Sequence, residues 1–229
     1  MNLPQCVILY MPKIPECEIL FAAGGRVPSQ KFFKAVAQGR KIFAVDKGIE
    51  ICRACNILPK ILIGDFDSAE SAALDWAIKN KIPVERHPVE KDFTDTQLAL
   101  ELLPKKKSAL ITGIFGGRFD HLFSNVLTCA NVKSKIFLAD EKEIIFYVKG
   151  GESVKVRFFE KPVAVSLLPI TEICAGVKTE NLHWELSNAT LKQNFPNAVS
   201  NRAESSEIKI SVERGTLALY FCFSDSISA

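Results

Sequence analysis

Long apolar runs are missing from this 229-residue chain. None approaches the roughly 20 residues that carry a helix across a bilayer, so no membrane-spanning helix is expected. The opening Met1-Asn2-Leu3-Pro4 lacks a basic start leading into a long apolar stretch, so no secretory signal is expected either. Charge of one sign is also lacking. The formal net charge is +3, and Lys105-Lys106-Lys107, the one basic run, reads as a solvated link between a helix and the next strand. That balance argues against a nucleic-acid partner. No G-x-x-x-x-G-K-[ST] is present, which excludes a P-loop enzyme. The cysteines, at positions 6, 17, 52, 55, 129, 174 and 222, are odd in number and scattered, the pattern of reduced thiols in a cytoplasmic protein. Cys52-Arg53-Ala54-Cys55 has the Cys-x-x-Cys spacing without a second pair. It falls inside a predicted helix over 47–56, where packing explains it better than metal or redox chemistry. There is no internal repeat and no low-complexity segment.

What is present reads as a two-part globular chain: 48% hydrophobic and 24% charged residues are enough for a sizeable core. Apolar runs at 18–23, 41–45, 60–63, 84–87, 109–112 and 135–139 predict strands, and segments of helical period lie between them. In the helix after Thr94, Leu98 and Leu102 recur at i,i+4, and Thr94-Asp95-Thr96-Gln97 has the form of a capping box. Trp76, spaced with Ala73 and Ala77, reads as helix core. Such alternation predicts an α/β fold: a mostly parallel sheet flanked by helices, with ligands at the carboxyl ends of its strands. Near Gly150 the period changes. Val154, Val156 and Phe158 alternate with Lys155 and Arg157, as do Ile208, Ile210 and Val212 with their polar neighbours. Arg214-Gly215 then turns the chain into an apolar strand over 216–223. These short strands predict a smaller antiparallel β-sandwich or barrel, so the domains are placed at 1–149 and 150–229.

Three aspartate-bearing segments stand at predicted strand ends: Gly64-Asp65-Phe66-Asp67-Ser68, Glu90-Lys91-Asp92-Phe93-Thr94-Asp95 and Gly116-Gly117-Arg118-Phe119-Asp120-His121. Any one could be a helix cap, since Asp, Ser and Thr satisfy free amides at helix starts. Capping explains Asp65 poorly, because Asp67 and Ser68 already occupy the boundary of a helix predicted over 69–80, and it does not explain three clusters in successive crossovers. Carboxylates about 4 Å apart repel by roughly 4 kcal/mol per pair at an effective dielectric near 20. Gathering them predicts a divalent cation, and magnesium, which favours carboxylate and phosphate oxygens, brings a polyphosphate with it. With Phe66 turned away, Asp65 and Asp67 can face one side of an extended segment, and Asp95 can close the site. Lys91 and Arg118 would offset polyphosphate charge, and Gly116-Gly117, like Gly24-Gly25, lets backbone amides approach phosphate. Beside Asp120, His121 reads as a base or as a loop-orienting residue, the second fitting phosphoryl transfer better. Trp184, by composition alone, reads as a core residue of a strand, and Asn201 as a turn residue.

In order along the chain, Asp46-Lys47-Gly48, the Gly-Asp-Phe-Asp-Ser segment, Glu90-Lys91-Asp92-x-Thr94-Asp95, Gly116-Gly117-Arg118-x-Asp120-His121 with Asn125, Val165-Ser166-Leu167-Leu168-Pro169, Leu182-x-Trp184-x-Leu186 and Val199-Ser200-Asn201 resemble the thiamine pyrophosphokinase (thiamine diphosphokinase) family. The resemblance implies a homodimer that transfers a pyrophosphoryl group from ATP to the thiamine hydroxyl and releases AMP. It implies that Asp65, Asp67 and Asp95 hold Mg2+, with Asp46 beside them, and that Lys91, Thr94 and Arg118 contact the polyphosphate. Asp92, Asp120 and His121 share those motifs and are expected at the nucleotide. Trp184 is expected to stack on thiamine, with Ser200 and Asn201 lining the same pocket; an aromatic face beside a cationic thiazolium is worth about 0.5–2 kcal/mol. Two departures stand out: Lys47 where many members have a second Gly, and Asn181 in place of a common Gly. The other readings are a pyrophosphokinase for a different hydroxymethyl heterocycle such as a pterin, a non-catalytic thiamine or nucleotide binder, and a purely structural domain.

Overall fold

The computed structural model describes residues 6–11, 14–67 and 69–223. Two compact units divide the chain, one of Glu16–Glu141 and one joining the N-terminal residues to Lys142–Ala229. Strand β1 (Cys6–Met11) therefore belongs with the C-terminal unit, not with the residues that follow it.

The first unit alternates strand and helix: β2 (Ile19–Ala22), α1 (Gln30–Ala37), β3 (Lys41–Val45), α2 (Gly48–Cys55), β4 (Ile61–Gly64), α3 (Ser71–Lys79), β5 (Val84–Arg86), α4 (Asp95–Glu101), β6 (Ala109–Thr112), α5 (Phe119–Asn131) and β7 (Ile136–Ala139). Its strands are parallel, in the order β7-β6-β2-β3-β4-β5. β2, β6 and β7 are buried at every position, because helices cover both faces of such a sheet. α2 packs on β2 and β3, and α4 on β3 and β4. Chain order reverses between β2 and β6, which sets their carboxyl ends side by side at a switch point. The helix starts follow local chemistry. The Ser29 hydroxyl caps α1, accepting from Phe32 N–H at 3.2 Å, and both bonds of the Thr94–Gln97 capping box form at α4. α3 begins at Ser71, two residues later than predicted; its cap position, Glu70, makes no side-chain capping bond. On α3, Ala73 and Ala77 are buried and Trp76 is half-buried. Cys52 and Cys55 are free thiols buried on α2, and burial pushes the Cys52 thiol up to about 12, as packing residues rather than a redox pair.

The second unit holds β8 (Glu143–Lys149), β9 (Glu152–Phe158), β10 (Ala164–Pro169), β11 (Ile173–Glu180), β12 (Ala189–Lys192), β13 (Glu207–Val212) and β14 (Thr216–Cys222). β14 lies between β10 and β8, antiparallel to both. β9 pairs in parallel with β1 and antiparallel with β13, which leads on to β11 and β12. The period of two is realised as expected: Val154 faces Ile210 and Val156 faces Ile208 across the β9–β13 ladder, all four buried. β8 falls before the expected boundary at Gly150, yet it groups with the second unit because it pairs along its whole length with β14.

Candidate active site

Three crossovers of the first unit bring acidic side chains together. Asp46 directly follows β3; its backbone takes a left-handed turn at φ 48° and its N–H donates to the Ile63 carbonyl at 2.8 Å. Gly48 follows because the start of α2 presses on β2: a Cβ there would collide with the Ala22 carbonyl oxygen. β4 ends at Gly64, and Phe66 is also left-handed, at φ 64°. Asp65 and Asp67 therefore do not lie along an extended segment. The chain turns at Phe66, whose ring is buried with the Arg86 guanidinium 5.9 Å from its centroid, and the turn leaves the two carboxylates on the same side. Asp67 N–H donates to Asp65 Oδ1 at 3.2 Å. One carboxylate oxygen from each of Asp46, Asp65 and Asp67 lies within 4.8 Å of the others.

The electrostatics of the group are uneven. Burial, and then the neighbouring carboxylates of Asp95, Asp65 and Asp67, push the Asp46 carboxyl up to about 6. Its Oδ1 is buried and accepts no hydrogen bond among the described residues. Lys91 Nζ donates to Asp65 Oδ2 at 2.7 Å and to the Pro88 carbonyl at 3.0 Å, holding the Asp65 carboxyl below its ordinary value. Nζ also lies 3.3 Å from Asp95 Oδ1, an ion pair not aligned as a hydrogen bond. Burial works to lower the Lys91 ammonium, but Asp65 and Asp95 together raise it. Because Thr94 supplies the cap of α4, Asp95 is not needed there and turns to the cluster. Asp67 does not cap α3 either; Ser68 lies outside the described residues. Of the carboxylates expected to hold the metal, Asp65 and Asp67 converge with Asp46, whereas Asp95 is not one of that close trio and adjoins it through Lys91; Asp92 of the same crossover is exposed.

A second group forms at the switch point. Gly25 N–H donates to the Gly113 carbonyl at 2.6 Å and Arg26 N–H to the Phe115 carbonyl at 2.6 Å, tying the loops after β2 and β6 together. Gly113 is left-handed at φ 69°, and a Cβ on it would strike the Ala23 carbonyl. Gly116 and Gly117 follow at φ 68° and 66° and are exposed. Arg118 forks onto Asp120 (Nε–Oδ1 3.1 Å, Nη2–Oδ2 2.6 Å), drawing the Asp120 carboxyl down. His121 meets Asp120 through its backbone N–H at 3.0 Å, not through its imidazole. Sequence reasoning missed Arg26, whose Nε donates to Asp140 at 2.8 Å; Asp140 is only 1% exposed. The available signal was another carboxylate directly after a strand, at the end of β7.

In the second unit Trp184 sits in the loop between β11 and β12, outside any strand, and is 58% exposed, so it is not a core residue. The His183 ring meets it edge-on at 4.6 Å and 89°, and the Arg202 guanidinium lies 5.7 Å from the indole centroid. His183 Nδ1 is 2.7 Å from Glu204 Oε1. Asn181, in the place of the common Gly, is left-handed at φ 65°, a conformation Asn tolerates better than other side chains. Ser200 is likewise left-handed at φ 57°, and its N–H donates to Ser166 Oγ at 3.0 Å. Asn201, expected to line a pocket, is 7% exposed and bonded to the backbone around Trp184.

The family description "Thiamin pyrophosphokinase, catalytic domain" matches residues 33–138, and "Thiamin pyrophosphokinase, vitamin B1 binding domain" matches residues 154–217. The thiamine pyrophosphokinase of Bacillus subtilis (strain 168) is 29% identical over 180 residues, which span 76% of this chain and 84% of that protein. Thiamine pyrophosphokinase 1 of Arabidopsis thaliana is 28% identical over 168 residues, 68% of this chain and 61% of that one. Among solved structures, thiamine pyrophosphokinase from Bacillus subtilis shares the fold with a TM-score of 0.77 at 24% identity, covering 90% of this chain and 99% of its own. Yeast thiamin pyrophosphokinase does so with a TM-score of 0.76 at 17% identity, covering 99% and 93%.

Proposed function

The chain belongs to the thiamin pyrophosphokinase family, and on that premise we propose how its residues make thiamine diphosphate. The enzyme transfers a pyrophosphoryl group from ATP to thiamine: a bond forms between the thiamine hydroxyl oxygen and the β-phosphorus, the bond from that phosphorus to the α-phosphate oxygen breaks, and AMP leaves. Asp65, Asp67 and Asp95 hold Mg2+ with Asp46 beside them. The observation that supports this reading is the convergence of Asp46, Asp65 and Asp67, with a buried Asp46 oxygen that accepts no hydrogen bond among the described residues and Asp95 adjoining through Lys91, an arrangement whose repulsion the single Lys91 ammonium only partly offsets. When bound, the metal supplies positive charge to the polyphosphate.

The chain's own groups do the rest by positioning and electrostatics. Lys91 ties Asp65 to Asp95 and presents its ammonium to the polyphosphate. Thr94 fixes the start of α4 and with it the direction of Asp95. Gly116 and Gly117 offer backbone amides, Asp120 steadies the Arg118 fork, and His121 and Asp92 line the nucleotide side. Trp184 stacks on thiamine, with Ser200 and Asn201 in the same region. The unit Glu16–Glu141 takes the nucleotide role and the unit built on Lys142–Ala229 the thiamine role, in a cytoplasmic homodimer. The buried free thiols support a reducing compartment, and among the described residues no helix is long and apolar enough to cross a membrane. The match to a vitamin B1 binding domain favours thiamine over a pterin acceptor.

Incubation with thiamine, ATP and Mg2+ followed by nucleotide separation tests the reading. AMP with thiamine diphosphate is the expected result. ADP with thiamine monophosphate would place attack at the γ-phosphorus, and binding without turnover would identify a non-catalytic member.

A further inference from the structure

Asn201 carries a more specific role than lining a pocket. Its carboxamide is buried, and its contacts go to main chain: Oδ1 accepts from Trp184 N–H at 3.1 Å and from Arg202 N–H at 2.8 Å, while Nδ2 donates to the Trp184 carbonyl at 2.8 Å. The amide thus grips both backbone groups of Trp184, as a neighbouring strand would, although Trp184 lies in no strand. Asn201 is itself anchored, its N–H and carbonyl each bonding Val165 of β10 at 2.8 Å. The preceding Ser200 is held left-handed with its N–H on Ser166 of the same strand. A rigid strand therefore fixes an amide, and the amide fixes an exposed aromatic. The same Oδ1 holds the backbone of Arg202, whose guanidinium lies over the Trp184 ring.

The indole, 58% exposed in a loop, meets the His183 ring edge-on and the Arg202 guanidinium, and the backbone that carries Trp184 and the backbone of Arg202 are both held by Asn201. Asn is suited to the task and its isosteres are not: Asp lacks the donor that the Trp184 carbonyl needs, and Leu lacks both functions. We propose that Asn201 is a positioning residue that acts through Trp184, holding the indole as a pre-set platform for the aromatic acceptor substrate rather than touching that substrate. The inference rests on Trp184 being the thiamine contact assigned under the proposed function.

The test is a double-mutant cycle with a spectroscopic arm. Asn201→Ala, which removes all three bonds, is expected to raise the thiamine KM about tenfold, the factor that corresponds to about 1.4 kcal/mol, with the ATP KM unchanged. In a Trp184→Ala background the same substitution is expected to change the thiamine KM less than about twofold, because the group it acts through is gone. With Trp76→Phe making Trp184 the sole tryptophan, Asn201→Ala is expected to lower the fluorescence anisotropy of Trp184 in the ligand-free protein. If Asn201→Ala fails to fold, Asn201→Asp serves, keeping the acceptor but replacing the donor to the Trp184 carbonyl with a carboxylate oxygen that repels it. Full additivity in the cycle would mean that Asn201 acts independently of Trp184 and would overturn the inference, as would unchanged anisotropy. If Trp184→Ala alone leaves the thiamine KM unaltered, the assigned stacking fails, and the anisotropy still decides whether the clamp exists.

Discussion

Single residues divide the labour at the acidic cluster. Asp65 is bonded to Lys91 and to the backbone of Asp67, whereas Asp46 has a buried oxygen with no hydrogen bond among the described residues. Asp65→Asn or Asp95→Asn is expected to cut turnover by at least about a hundredfold, the scale on which a lost electrostatic group acts, while the fold survives; near-normal kcat in a folded variant would remove the metal-site assignment. Asp46 makes a prediction of different sign. Its folded carboxyl, near pKa 6, holds a proton more tightly than the unfolded chain does near 3.9. Its contribution to stability is thus fully present below about pH 4 and is lost as pH rises through about 6. In EDTA, the wild-type protein is expected to lose urea resistance between pH 5 and pH 7.5, and Asp46→Asn to lose less. Identical pH slopes in the two proteins would contradict the burial argument.

At the level of elements, the crossovers are set by close backbone approach as much as by side chains. Gly48 shows this most plainly: α2 can start against β2 only if no Cβ stands between it and Ala22. Gly48→Ala is expected to cost about 3 kcal/mol or more through overpacking against backbone, measured as a fall in the urea midpoint; a loss below about 1 kcal/mol would show that the helix can shift freely. The sequence made α4 legible because its signal is local, a Thr and a Gln three residues apart that satisfy each other's backbone. The start of α3 was not legible, since Asp67 resembles a cap but serves the cluster. The same competition hid the turn at Phe66. Its left-handed backbone is stabilised by burial of the ring, which local propensity opposes.

For the molecule as a whole, ligand binding and stability are linked. A nucleotide and metal that bind only the folded chain raise its stability by about 2.7 kcal/mol at a hundredfold excess over Kd. Mg2+ with ATP is accordingly expected to raise the melting temperature of the wild-type protein and to leave Asp65→Asn nearly unchanged. An equal shift in both proteins would argue against metal binding through Asp65. Light scattering is expected to give about twice 25.4 kDa for the proposed homodimer, and a monomer mass would refute it. At this scale the sequence by itself determined the two kinds of architecture, because periods of 3.6 and 2 are written in neighbouring residues, as in Leu98 with Leu102 and in Val154 with Val156. It also determined which residue types stand at strand ends. Only the tertiary structure decided that β1 and β8 join the C-terminal unit, that Lys91 sits among the aspartates, and that Asn201 holds Trp184 from 17 positions away. Each of those depends on a partner distant along the chain, and a linear pattern encodes what a residue can bond with, not which remote segment the fold will bring to it.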